Sequence, residues 1–143
     1  MTRADRNKRT DRSSAGKYRE TARSFLASAE ALATLANDDE AYGNAIALLA
    51  VHAAIGYADA IAIAYGERKS TAGDHEQVVA LLTTILRTRL PAGERTRLLK
   101  LVKLKDTVAY QGKYFQLDEA RQHLILAARF AAWAEQMYQR RPV

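Results

Sequence analysis

The sequence predicts an all-α protein, an up-and-down bundle of about five helices behind a basic N-terminal arm. Only two prolines and seven glycines occur in 143 residues, and residues that favour helices, such as alanine, leucine, arginine and glutamate, are abundant. Apolar residues recur at spacings of three and four through most of the chain. We find no strand pattern and no internal repeat, and the length suits a single domain.

The first thirteen residues are charged and lack apolar periodicity. Such a segment cannot bury enough apolar surface to order itself, so we expect residues 1–13 to form a flexible arm. The helical domain then spans residues 14–139, and residues 140–143 form a short basic tail.

Turn residues divide the apolar pattern into five segments. These segments predict helices at residues 14–35, 40–65, 75–89, 94–110 and 118–139. Ser13 and Ser14 are typical N-cap residues for the first helix, as Asp74 is for the third. Gly66 is expected to end the second helix, and the polar residues 67–73 are expected to form a loop.

The second helix is long and apolar enough to span a bilayer. Much of its apolarity comes from alanine, however, and His52 and Asp59 lie within it. An unpaired carboxylate at the centre of a membrane is costly, so we expect a helix surrounded by other helices. The N-terminus has no apolar leader segment, and the chain has no cysteine. These features favour a soluble cytoplasmic protein that does not bind a membrane.

The net charge of +6 is concentrated in two regions of the chain. Residues 1–19 contain seven basic and two acidic side chains, and residues 87–105 contain seven basic and one acidic. The second region supplies a basic stripe, defined as Arg87, Arg89, Arg95, Arg97, Lys100 and Lys103. A basic arm and stripe on an otherwise acidic body are typical of a polyanion-binding protein. A solvated tail and an ordinary surface helix would give the same pattern.

Three polar or small residues share one face of the apolar second helix. His52, Gly56 and Asp59 are separated by four and three residues, which places them on one line along a helix. A buried carboxylate costs several kcal/mol unless it is paired, so we expect Asp59 to pair with His52, Lys105 or a nearby arginine. Both a structural polar pair and a polar ligand pocket fit this pattern.

Common catalytic and cofactor motifs are absent from the sequence. The three histidines lack the spacing of a metal site, and no phosphate-binding or dinucleotide-binding fingerprint occurs. We therefore predict neither a metal nor a cofactor.

Three segments, residues 52–82, 98–112 and 117–137, resemble the HEPN family of helical nucleotide-binding domains. The most specific positions in the first segment are His52, Asp59, Gly66, Asp74 and His75. The resemblance covers residues 17–139 and implies a bundle of four to five helices that is commonly dimeric. Members of the family include RNA-cleaving toxins and helical companions of nucleotidyltransferases.

The cleaving members carry an arginine, a polar residue, and a histidine four to six residues further on. The matching positions here are Lys105, Asp106 and Tyr110. Tyrosine, with an ordinary pKa of about 10, is a poor general base at neutral pH, and lysine lacks the arginine fork that grips a phosphate. The resemblance therefore implies binding at these positions with little or no catalysis.

The sequence thus predicts a HEPN-like homodimer that binds a nucleotide, RNA or a partner protein. One alternative is a metal-free endoribonuclease of toxin type, with an antitoxin partner and with Lys105, Tyr110 and His52 as candidate catalytic residues. A second alternative is a structural interaction module or a companion subunit of a nucleotidyltransferase. The expected ligand-binding residues are His52, Asp59, Asp74, His75, Lys105, Asp106 and Tyr110.

Overall fold

The computed structural model describes residues 7–71, 76–105 and 115–143, and these ranges contain five α-helices. The helices are α1 (Ala15–Leu35), α2 (Gly43–Gly66), α3 (Glu76–Leu86), α4 (Ala92–Lys103) and α5 (Leu117–Gln139). Short 3-10 turns occupy Arg12–Ser14, Glu40–Tyr42 and Arg87–Arg89. The strands β1 (Asn7–Arg9) and β2 (Arg68–Ser70) form a small antiparallel sheet. The predicted all-α bundle is confirmed.

The core of the bundle is built around α2. Fifteen of its 24 residues are buried, and it packs against α1, α3, α4 and α5. By length and composition alone, the segment Glu40–Gly66 could cross a membrane, but 72% of its most apolar stretch is buried inside the protein. This burial by neighbouring helices agrees with the predicted central helix.

Small side chains let α1 approach α2 closely. Buried alanines recur every seven residues, at Ala15, Ala22 and Ala29 on α1 and at Ala36 directly after it. A Cβ atom added at Gly56 of α2 would lie only 2.9 Å from the Cβ of Ala22, which is closer than ordinary van der Waals contact. The polar face of α2 that contains Gly56 is therefore turned towards α1.

The start of α1 differs from the prediction. Ser14 precedes the helix but makes no side-chain cap hydrogen bond. Instead, the Asp11 carboxylate accepts from the backbone N–H of Ser13 at 2.9 Å, and the Ser14 hydroxyl donates to the Asp11 carbonyl at 2.7 Å. The cap thus belongs to the preceding 3-10 turn.

The end of α2 also differs in detail. Gly66 was expected to be the residue beyond the helix, but it is the last helical residue, and Glu67 adopts the left-handed conformation with φ 53°. The glycine suits the packing here, because a Cβ at position 66 would lie 2.7 Å from Cδ1 of Ile85 on α3 and would force that side chain to move.

The sheet contradicts the prediction that the chain contains no strand. Asn7, Lys8 and Arg9, which were expected to be part of an unstructured arm, pair with Ser70, Lys69 and Arg68. Residues 68–70 were expected to be a loop. All six side chains are polar, so neither segment shows the alternation by which a strand is recognised in a sequence. The two segments pair through backbone hydrogen bonds instead.

The third and fourth helices are shorter than predicted. Helix α3 ends at Leu86, because Arg87 has a left-handed φ of 53° and begins the 3-10 turn that follows. Helix α4 ends at Lys103, where the amide of Leu104 donates to the carbonyl of Leu101 at 3.1 Å. The predicted cap Asp74 and the predicted helical residues 106–110 lie outside the described residues.

The beginning of α5 is tied to the beginning of α2. The Glu40 carboxylate accepts from the backbone N–H of Leu117 at 2.8 Å. The Asn44 side-chain oxygen accepts from the backbone N–H of Phe115 at 2.8 Å. Between them on the chain, Gly43 lies against the backbone of Phe115, and a Cβ there would overlap the Phe115 carbonyl oxygen.

We expect Gly43→Ala to destabilise the protein by about 2 kcal/mol, because the added methyl group pushes against backbone atoms that cannot easily move. Gly93→Ala on α4 is the matched control, since the nearest atom to its Cβ is a flexible arginine tip 3.9 Å away. The control should be neutral or stabilising by up to about 1 kcal/mol. Urea unfolding measures both values, and equal stabilities of the two variants would contradict the predicted overlap.

Candidate anion-binding cleft

A cleft of about 310 Å³ lies beside the end of α2. It is lined by Arg9, Arg12, Tyr65, Gly66, Glu67 and Arg68. Three of these six residues are arginines, and they come from β1, from the following 3-10 turn and from β2. We call this site the arginine cleft.

The sheet places two of the arginines side by side. Arg9 and Arg68 are directly opposite each other in the antiparallel register, and opposite residues of such a pair project on the same face. The pairing continues beyond the strands, because the amide of Thr10 donates to the Glu67 carbonyl at 2.8 Å. The geometry of the cleft therefore depends on the docking of β1 on β2.

Arg12 joins the cleft to the central helix. Its Nε donates to the carbonyl of Ala64 at 2.9 Å, one of the last carbonyls of α2. Such carbonyls have no partner within the helix, and a cation near them also interacts favourably with the helix dipole. This contact holds the Arg12 side chain at the cleft.

Tyr65 connects the arginine cleft to the basic stripe. The guanidinium of Arg89 lies over the Tyr65 ring, 5.1 Å from the ring centroid, at a distance typical of cation–π contact. The Tyr65 hydroxyl donates to the Met137 carbonyl at 2.7 Å, which fixes the ring against α5. A fourth arginine is thereby held next to the three that line the cleft.

Glu67 is the acidic residue of the cleft lining. Its carboxylate lies 3.3 Å from Arg12 Nη2 and 3.5 Å from Arg9 Nη2. One negative charge is thus placed among several positive charges, and the cleft keeps a positive excess.

Most of the basic stripe is exposed as predicted. The exposed members are Arg87, Arg89, Arg95, Lys100 and Lys103. Arg97 is half-buried and donates to Glu94 at 2.6 Å. Burial raises the pKa of Glu94, and the neighbouring Arg97 partly opposes that rise. Arg97 therefore has an acidic structural partner, whereas Arg89 lies over the Tyr65 ring.

Asp59 is buried, as predicted, with 8% of its surface exposed. Burial raises the pKa of its carboxyl group to about 6, and the positive charge of Lys69 partly lowers it. No hydrogen bond to this carboxylate is found among the described residues. The positive charge that acts on Asp59 comes from Lys69 of β2, which was not among the expected partners His52, Lys105 and arginine.

The other two residues of the predicted polar face pack against α1. The His52 ring is stacked on Phe25, with centroids 5.5 Å apart and planes 29° apart, and Gly56 contacts Ala22. A small cavity of about 160 Å³ lies beside Gly56 and is lined by Lys17, Tyr18 and Thr21. The face is thus a contact between helices, and the arginine cleft is separate from it.

The altered HEPN motif is described only at its first residue. Lys105 is half-buried just after α4. Asp106 and Tyr110 lie outside the described residues, as do Asp74 and His75. Their predicted role in ligand binding stays a prediction. In the described part of the chain, no three histidine, aspartate or glutamate side chains are grouped as metal ligands.

A second polar network was missed by the sequence analysis. The Glu135 carboxylate of α5 accepts from the Tyr57 hydroxyl at 2.9 Å and from Arg19 Nε at 2.8 Å. Burial, followed by the hydrogen bond to Glu135, raises the pKa of Tyr57. This network joins α1, α2 and α5. Its three residues are far apart in sequence, so no local pattern could reveal it.

Comparisons of the chain with protein-family models, curated proteins and solved structures found no match.

Asp59 generates a prediction about the pH dependence of stability. Because its pKa in the folded protein, about 6, exceeds the ordinary value of 3.8, the native state holds the proton more tightly than the unfolded chain does. The stabilising effect of this proton is complete below pH 3.8 and is lost as the pH rises through about 6. Asp59→Asn removes the ionisation. Relative to wild type, it should therefore gain about 2 kcal/mol of stability between pH 4 and pH 8.

Unfolding by urea at a series of pH values measures this gain. Asp38→Asn, at an exposed aspartate, controls for the loss of one negative charge. A difference between Asp59→Asn and wild type that does not change with pH would contradict the burial of an ionisable Asp59.

Proposed function

We propose that this protein is a HEPN-like helical module that binds single-stranded RNA through the arginine cleft and the adjoining basic stripe. The observation that carries the proposal is the convergence of Arg9, Arg12 and Arg68 on one cleft, with Arg89 held beside it over Tyr65.

The chemistry of the cleft favours a phosphate ligand. Arginine presents several N–H donors in a planar fork that matches phosphate oxygens. The three lining arginines outnumber the one carboxylate, so the cleft has a net charge of +2, and Arg89 adds a further positive charge next to it. A volume of about 310 Å³ is at the lower end of the range for ligand pockets, which suits one phosphate group of a longer chain better than a whole cofactor.

The basic stripe extends the positive surface beyond the cleft. Arg87 and Arg89 follow α3 directly, and Arg95, Lys100 and Lys103 continue the exposed positive charge along α4. Contacts of this kind neutralise phosphates and do not identify bases. Binding should therefore depend strongly on salt and show little sequence preference.

Catalysis is not part of the proposal. The carboxylate available in the cleft lining, Glu67, is already engaged by two arginines, so it is poorly placed to act as a general base. The alternative of a metal-free endoribonuclease depends on Tyr110 and stays a prediction.

The predicted partners, a second copy of the chain, an antitoxin or a nucleotidyltransferase, also stay predictions.

Arg9→Ala should weaken binding of a single-stranded RNA oligomer about five- to tenfold at low salt. The slope of log K against log salt should become shallower by about 0.7, the value for loss of one phosphate contact on a single strand. Because the Arg9 side chain is 83% exposed, its removal should leave the fold unchanged. Fluorescence anisotropy over a series of salt concentrations measures both quantities.

Arg129→Ala is the matched control, since it removes the same charge from an exposed position on α5 that does not line the cleft. Equal effects of the two substitutions would mean that the protein binds RNA by overall charge. No measurable binding by the wild type would refute the proposed function.

A further inference from the structure

Glu67 occupies a position that its residue type disfavours. It has a left-handed φ of 53° just after the last residue of α2, where glycine is the usual residue because a side chain is strained in this conformation. Its negative charge also lies at the negative end of the helix dipole. Where a glycine would relieve such backbone strain, the presence of another residue often has a functional reason.

The backbone and the side chain of Glu67 have separate roles. Its amide donates to the Ile63 carbonyl at 2.9 Å, and its carbonyl accepts from Thr10 at 2.8 Å. These bonds would form with any residue that tolerates the conformation. The contacts with Arg9 and Arg12 are made by the carboxylate, so they depend on the acidic side chain.

We propose that Glu67 is a built-in competing anion of the arginine cleft. Its carboxylate holds Arg9 and Arg12 when the cleft is empty, and a ligand phosphate takes its place when RNA binds. This inference rests on the proposed function, because it assigns a regulatory role to a residue of the same cleft.

The contacts of Glu67 are weak enough for such an exchange. They are 3.3 and 3.5 Å long, the Glu67 side chain is 33% exposed, and those of Arg12 and Arg9 are 37% and 83% exposed. Ion pairs of this exposure contribute little to stability, so the carboxylate can turn towards solvent without a large loss.

Arg68 provides the first contact for an incoming ligand. Its Nη1 donates to the side-chain oxygen of Asn7 at 2.9 Å, a neutral partner that leaves the arginine charge uncompensated. A ligand that brings several phosphates can engage Arg68 first and then displace Glu67. A ligand with a single carboxylate would only replace one carboxylate by another. Glu67 thus selects polyanions over small monoanions.

Glu67→Gln tests the inference, because it removes the competing charge and keeps the size of the side chain. We expect this variant to bind a single-stranded RNA oligomer about five- to tenfold more tightly than the matched control, as expected for the loss of two exposed ion-pair contacts. The control is Glu30→Gln, which removes one negative charge from an exposed position on α1 outside the cleft lining. Glu67→Gly, which also relieves the left-handed strain, should bind as Glu67→Gln does and be at least as stable as wild type.

Anisotropy titrations of wild type, the Glu67 variants and Glu30→Gln distinguish the outcomes. If Glu67→Gln and Glu67→Gly bind no more tightly than Glu30→Gln while Arg9→Ala still weakens binding, the competing-anion role is refuted and the cleft remains the RNA site. If neither the wild type nor any variant binds, the proposed function is refuted as well.

Discussion

The hydrogen bond from Arg12 Nε to the Ala64 carbonyl, 2.9 Å long, joins the N-terminal segment to the end of the central helix. A buried helix must find partners for its last carbonyls, and α2 finds one in a cation from outside the helix. The same contact holds Arg12 close to the strands β1 and β2. The pairing of these strands places Arg9 opposite Arg68. The arginine cleft therefore depends on the hydrogen bond that a carbonyl at the end of α2 accepts from Arg12.

Strand β2 connects this cleft to the buried carboxylate of α2. Successive side chains of a strand point to opposite faces, so Arg68 lines the cleft while Lys69 projects the other way. Lys69 Nζ lies 5.5 Å from the centroid of the Tyr18 ring, and its charge acts on Asp59. The three-residue strand β2 thus contributes positive charge both to the arginine cleft and to the surroundings of Asp59. A disturbance of the strand pairing should change both.

Much of the helical fold could be predicted from the sequence, because apolar spacing along a helix reports directly on its buried face. The central position of α2 followed from its apolar composition, and the burial of Asp59 followed from its place within that helix. The sheet could not be predicted, since Asn7–Arg9 and Arg68–Ser70 pair through the backbone and show no apolar alternation.

The arginine cleft could be predicted only in part, because the sheet brings its residues together. Arg9 and Arg12 belong to a segment whose charge suggested polyanion binding, but Arg68 lies in a segment that was expected to be a loop. Lys69 was likewise not recognised as the cation near Asp59. Which charges meet depends on the sheet and on the packing of helices distant in sequence, as in the Arg19–Glu135–Tyr57 network.

The central claim is that phosphate binds among the arginines of the cleft. Titration of the ¹⁵N-labelled protein with a short single-stranded RNA, followed through the arginine Nε–H signals and the backbone amides, tests it most directly. We expect the largest shifts at the side chains of Arg9, Arg12 and Arg68 and at the amide of Glu67, with Arg23 and Arg129 almost unchanged. Shifts spread evenly over all arginines, or confined to residues outside the cleft, would contradict this account.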